Sequence, residues 1–153
     1  MNTIIVFIDG TICDTRHRHH LYESAEFNSD EMILKDSAVP GSIDCLQELA
    51  SCNNIIYMGA RDISLKAITE KWLKINGYPQ GEIYLSEQQE ERLHIVQSLK
   101  ETNHIIAGIG DRWDDNELHL EIGCLSIILE EFRGNWNTVR KYLINKGGKL
   151  SIM

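Results

Sequence analysis

The stretch Ile4-Ile5-Val6-Phe7-Ile8-Asp9-Gly10-Thr11 decides how the rest of the chain is read. An unbroken apolar run ends abruptly in an acid, a glycine and a threonine. A strand buried on both faces has this pattern, because neither side of it meets water. Such strands sit inside parallel sheets and deliver their polar residues to the carboxyl edge, where α/β proteins bind ligands. Residues 3–8 are therefore expected as a first strand, with Asp9, Gly10 and Thr11 at a ligand-binding edge.

Working outward, short apolar runs alternate with helical patterns. Residues 41–51 read as a helix, with Pro40 just before it and Ile43, Leu46, Leu49 and Ala50 on one side. Residues 54–58 form a second strand. Residues 64–76 form a helix: Leu65, Ile68, Trp72 and Ile75 recur at three- and four-residue steps, and Gly77 suits its C-cap. A third strand covers 82–85. Ser86 begins a Ser-x-x-Gln pattern resembling a capping box, opening a helix to about Lys100 with Leu93, Val96 and Leu99 inward. A strand over 104–109, a helix from about Asn116 to Gly123, a strand over 125–129 and a helix over 136–145 complete the series. This alternation means right-handed βαβ units and a three-layer α/β sandwich around a parallel sheet. One domain over 1–146 follows, with a loose tail over 147–153. Residues 13–39 break the alternation. They are polar, weakly periodic and contain Arg16-His17-Arg18-His19-His20.

Bulk properties narrow the function. The chain of 153 residues is 42% hydrophobic and 25% charged, ordinary values for a soluble globular domain. No apolar run approaches the ~20 residues that span a bilayer. The first apolar run is too short for a signal peptide and lacks basic residues before it, so a cytoplasmic location is expected. A net charge of −8, from 15 Lys+Arg against 23 Asp+Glu, argues against general nucleic-acid binding, which rests on neutralising phosphates. Cys13, Cys45, Cys52 and Cys124 form no CxxC pair and no zinc-finger spacing, and read as reduced structural thiols. Cys45 and Cys52 stand two turns apart on the expected helix, hence on one packed face.

Four segments resemble, in order, the motifs of the haloacid-dehalogenase (HAD) superfamily. The family's first motif is a hydrophobic strand followed by Asp, any residue, Asp, Gly, Thr. Asp9, Gly10 and Thr11 match its second half, but the covalent nucleophile falls on Phe7. Ile55-Ile56-Tyr57-Met58 followed by Gly59-Ala60-Arg61 resembles the second motif, with Gly59 where the family has a phosphate-binding hydroxyl. Gly59 also suits a plain strand-to-helix turn. Arg92 matches the third-motif lysine and would keep its charge, or is a solvated helix arginine beside Glu90 and Glu91. Ile105-Ile106-Ala107-Gly108-Ile109-Gly110-Asp111-Arg112-Trp113-Asp114-Asp115 resembles the fourth motif. Carboxylates grouped at a strand end suit Mg²⁺, and Asp114 or Asp115 would equally cap a helix.

The resemblance implies a HAD-like Rossmannoid sheet, with residues 13–39 as a minimal helical cap. It implies Asp9 as general acid/base, assisted by Arg92. It implies a phosphate cradle from Gly10, Thr11, Gly59, Ala60 and Arg61, with Arg18 near the substrate entrance, although the basic cluster also reads as a solvated loop. It implies Mg²⁺ held weakly by Asp9, Asp111 and, through water, Asp115. The ligand is expected to be a phosphorylated small molecule or nucleotide. With Phe7 at the nucleophile position, the first expectation is a catalytically impaired phosphatase homologue. The alternative is a working Mg²⁺-dependent phosphomonoester hydrolase, nucleotidase-like or polynucleotide 3'-phosphatase-like, that uses water as nucleophile. A phosphatase-unrelated nucleotide module is the weakest reading, since no GxGxxG or Walker loop is present.

Overall fold

Ile4, Ile5, Val6 and Ile8 are fully buried, which only the middle strand of a covered sheet permits. The computed structural model describes residues 1–145. In chain order they form β1 (Asn2–Phe7), β2 (Cys13–Asp14), a 3-10 helix (Arg16–Leu21), α1 (Asp30–Leu34), β3 (Ser37–Ala38), α2 (Ser42–Ala50) and β4 (Asn53–Gly59). A 3-10 turn (Ile63–Leu65), α3 (Lys66–Asn76), β5 (Glu82–Leu85), α4 (Gln89–Thr102), β6 (Ile105–Gly110), α5 (Trp113–Ile122), β7 (Leu125–Ile128) and α6 (Trp136–Arg140) follow, with a π-helical turn at Lys141–Asn145. The tail expected over 147–153 lies outside the described residues.

Five strands make one parallel sheet in the order β5-β4-β1-β6-β7. Ile4, Val6 and Ile8 join one core cluster with Leu46, Trp72 and Val139 from the helices on their side. Ile5 and Phe7 join another with Val96 and Leu99 of α4 and Leu118 and Ile122 of α5. Alternate residues of one strand thus feed two helical layers, giving a three-layer α/β Rossmann-like sandwich. The chain runs β1, β4, β5 toward one edge and then returns to place β6 on the other side of β1. The strand order therefore reverses between β1 and β6, and that is where such sheets open a crevice.

Several helix boundaries differ from the sequence reading. α4 begins at Gln89 rather than Ser86, because the Ser86 hydroxyl accepts the Gln88 N–H at 3.2 Å and donates to Glu91 at 2.7 Å instead of capping. α5 begins at Trp113, three residues early, because the Asp115 carboxylate accepts the N–H groups of Asp111 and Arg112 at 2.9 and 3.1 Å. Gly77 and Gly123 close α3 and α5 in the left-handed conformation that glycine adopts without strain. Cys45 is buried, but Cys52 lies past the end of α2 and is exposed, so the two share no packed face. The 13–39 insert is not purely helical. It is a flap whose ends pair as antiparallel β2 and β3, with Cys13 opposite Ala38 and Asp14 opposite Ser37.

Candidate functional site

The carboxyl ends of β4, β1 and β6 bring Gly59, Asp9 and Asp111 to one edge. Gly10 sits at φ +88°, and a Cβ there would lie 2.2 Å from Asp111 Oδ2. Only glycine allows both the turn and the close approach of Asp111. The Thr11 hydroxyl donates to Asp111 Oδ1 at 2.8 Å, tying the two loops together. A cleft of about 160 Å³ opens beside them, lined by Phe7, Ile8, Asp9, Gly59, Ala60, Arg92, Arg112, Asp114 and Asp115. Phe7 therefore faces the cleft at the nucleophile position of the motif. Its ring also packs 5.6 Å from that of His119. Burial lowers the His119 pKa to about 4, so the imidazole against Phe7 is uncharged at neutral pH.

Asp9 is engaged elsewhere. Arg61 is buried and donates to both of its oxygens, Nη2 to Oδ1 at 2.6 Å and Nε to Oδ2 at 3.0 Å. Burial alone would raise the Asp9 carboxyl, but the Arg61 guanidinium outweighs it and holds the pKa below the ordinary value. An acid held ionised is a poor proton donor. Arg61 also donates to the Thr69 hydroxyl at 2.8 Å and lies 3.7 Å from Asp36.

Arg18 stands apart from the cleft. It is buried in the flap and holds Asp36 with Nε at 2.9 Å and Nη2 at 3.0 Å, while Nη1 donates to the Phe27 carbonyl at 2.9 Å. The expected phosphate contact from Arg18 is thus replaced by an internal ion pair. His17 and the Cys13 thiol reach the same Asp36 at 2.7 and 3.1 Å. The flap's basic cluster is therefore partly structural rather than a solvated loop.

Arg92 reaches the cleft from α4, but its guanidinium is largely occupied. It donates to the Ser86 carbonyl at 2.6 Å and to the Gln89 side chain at 2.7 Å, and lies 3.9 Å from Asp114. Arg92 is thus buried in the loop wall, not solvated beside Glu90 and Glu91. Arg112 lines the same cleft, is exposed and makes no ion pair among the described residues.

The acids fit a Mg²⁺ ion only in part. Asp9 has both oxygens on Arg61, and Asp115 caps α5. Asp111 Oδ2 is buried without a hydrogen-bond partner, as a cation ligand would be. Burial pushes the Asp111 pKa up to about 7, against the Thr11 hydrogen bond, and Asp115 and Glu131 add to the rise. Near neutrality this carboxyl is thus only partly ionised. One such oxygen, with no second free carboxylate beside it among the described residues, is a poor donor set for a hard dication.

No local signal marks the Asp36 cluster, whose members lie in a stretch without periodicity. It also missed Phe132, which holds φ 64°, donates its N–H to the Gly10 carbonyl at 2.8 Å and places its ring 5.7 Å from that of His19.

The chain matches no protein-family model and no curated protein. It is similar in structure to the class C acid phosphatase of Bacillus anthracis, with TM-score 0.65 and 23% identity over 92% of this chain and 71% of that one. It is also similar to a HAD-family enzyme of Bacteroides thetaiotaomicron solved with magnesium and inorganic phosphate: TM-score 0.60, 11% identity, 91% and 98% coverage. A haloacid-dehalogenase-like hydrolase of Xanthomonas campestris gives TM-score 0.60 and 11% identity, over 97% and 98%. The fold is HAD-like.

Proposed function

We propose that this protein is a HAD-like phosphate-binding homologue in which phosphoryl transfer to an enzyme carboxylate is blocked. The observation that carries this reading is the Phe7 side chain, buried and lining the cleft at the nucleophile position. A phenyl ring has no lone pair with which to attack phosphorus. The second acid of the motif, Asp9, is paired with Arg61, so the proton-donor role is suppressed as well. The remaining groups suit an anion: the Gly59–Ala60 turn and Arg112, which makes no ion pair among the described residues, with the charge of the engaged Arg92 in the wall behind them. The ligand class is a phosphate monoester, a phosphorylated small molecule or nucleotide. Mg²⁺ contributes weakly, through Asp111. The four free cysteines fit a reducing compartment, the cytoplasm. No helix among the described residues is long and apolar enough to cross a membrane.

The test pairs binding with turnover. Calorimetry with inorganic phosphate, and p-nitrophenyl phosphate hydrolysis in Mg²⁺, should show binding without hydrolysis above background. The competing reading is a Mg²⁺-dependent hydrolase that activates water. It draws on the orphaned Asp111 Oδ2. Hydrolysis by the unaltered protein that Asp111→Ala abolishes would establish it and overturn the blocked-transfer reading.

A further inference from the structure

Among the described residues the sheet ends at β5, with no strand beyond it. The Ser86 N–H donates to the Gly59 carbonyl at 3.1 Å, just past the β4–β5 pairs Met58–Tyr84 and Gly59–Leu85. Inward and outward groups alternate along a parallel ladder, so Tyr84 and Glu82 face β4 as well. Ile83 and Leu85 then turn their N–H and C=O groups away from the sheet, and no other backbone group among the described residues takes them up. An unpaired edge of this kind is a template for an added strand.

Beside that edge runs a groove of about 660 Å³, within the roughly 300–1,000 Å³ of ligand-binding pockets and sharing no residue with the cleft at Phe7. Buried Tyr57, Leu73 and Ile83 line it, and α3 adds Lys66, Glu70 and Lys74. The two lysines are exposed and make no ion pair among the described residues. They stand eight residues apart on one helix, a rise of about 12 Å. Four residues of strand span about 13 Å, and alternate side chains of a strand share a face. A carboxylate at each end of such a span therefore matches the two lysines. Glu82, also in the lining, is already engaged as acceptor of the Tyr84 hydroxyl.

We propose that this groove takes an extended acidic peptide, which adds as a strand beside β5 and sets two carboxylates, four residues apart, against Lys66 and Lys74. Backbone pairing with Ile83 and Leu85 places the peptide, and the lysines choose its side chains. Glu70 lies one turn from each lysine and repels a third acid between the two. The preferred pattern is thus acid-x-neutral-x-acid. A second copy of this chain fits the edge less well. Each copy carries a net charge of −8, and β5 itself offers a single acid, Glu82, rather than a spaced pair.

The test titrates the intact protein against a short fluorescein-labelled peptide of alternating Thr and Val, in which Glu replaces two Thr residues four positions apart, and reads anisotropy. Saturable binding is expected, weakened about 2- to 30-fold when both Glu residues become Gln, the worth of two exposed ion pairs. Lys66→Gln and Lys74→Gln should each remove part of that difference, and the double variant should remove it. Both positions are exposed and Gln favours a helix as Lys does, so the fold is kept. N-methylation of the peptide backbone at one alternate set of residues should abolish binding and at the other set leave it, since only one edge of the peptide pairs with β5. Equal affinity of the Glu and Gln peptides would overturn the proposal, as would equal tolerance of both N-methylated sets. A Glu preference that persists in the double variant would place the peptide elsewhere and overturn it too. Absence of saturable binding up to about 1 mM would do the same. Self-association of the protein that excludes the peptide would assign the edge to a second copy instead.

Discussion

Phe7→Asp restores the acid that the motif lacks, and the surroundings of Phe7 set its consequences. Phe7 is 4% exposed and packs in one cluster with Ile5, Ile56 and Met58. Deleting a buried phenyl ring costs about 3–5 kcal/mol, and each kcal/mol is about 2–4 °C of melting temperature in a domain of this size. The variant should thus melt about 6–20 °C below the parent protein without divalent ions, with the desolvated carboxylate adding to the loss. The new acid lies at the cleft that Phe7 lines, on the same sheet edge as Asp111, so on this reading Mg²⁺ is offered a second carboxylate. Ligation of the native state at one hundred times Kd returns about 2.7 kcal/mol, roughly 5–11 °C. Differential scanning fluorimetry with and without MgCl₂ should show a large Mg²⁺ shift in Phe7→Asp and little in the parent. Hydrolysis of p-nitrophenyl phosphate should remain at background, because Asp9 is still paired with Arg61 and Gly59 supplies no hydroxyl. A variant as stable as the parent without Mg²⁺, or a parent protein with an equal Mg²⁺ shift, would refute the account of Phe7 as filler of the nucleophile and ion space.

Arg61→Met leaves Asp9 without its buried partner; the Asp9 side chain is 38% exposed, so water screens part of the loss and the cost in urea unfolding should be about 1–3 kcal/mol. Because Arg61 depresses the Asp9 pKa, that ion pair stabilises the fold above the unfolded-state value near 4 and is lost as the pH falls through the folded value. The parent's extra stability over Arg61→Met should accordingly shrink in acid. Asp111 has the opposite sign: with its folded pKa raised to about 7, its cost is absent below pH ~4 and grows as the pH rises toward 7. Asp111→Asn should therefore gain stability relative to the parent between pH 5 and 8, read from melting temperatures across that range. Asp115→Ala uncaps α5 and should lose about 1–2 kcal/mol, with faster amide exchange in its first turn. Gly10→Ala places a methyl against Asp111 at positive φ and should destabilise more than Gly77→Ala, which has the same backbone conformation but no atom closer than 3.7 Å.

The sheet was legible in the sequence because burial on both faces leaves continuous apolar runs, and the strand over 82–85 falls on the residues expected. Helix starts were less legible where the capping group is unusual. Nothing local marks Asp115 as the acceptor for two N–H groups upstream, so α5 seemed to begin at Asn116 when it begins at Trp113. The positions of Asp9, Gly59 and Asp111 at one edge follow from strand order alone. What those side chains touch does not. Asp9 and Arg61 are 52 residues apart, and no periodicity says that one guanidinium takes both oxygens. The Arg18–Asp36 pair was hidden for the same reason, inside a stretch that looks like a solvated loop until its ends pair.

The attachment of the flap has a consequence for rates. Asp36 is held by Arg18 and His17, its carbonyl accepts the Trp72 indole N–H at 2.9 Å, and β2 and β3 close the insert at its base. None of the residues lining the cleft belongs to the flap. The insert is stapled rather than hinged, so a ligand comes and goes without a lid step, and observed binding rates should rise linearly with ligand concentration. Among the described residues the flap then does not close over whatever the cleft binds. A mouth that stays hydrated holds a ligand reversibly and strengthens no charge interaction at the reacting centre, the opposite of what closing enzymes arrange.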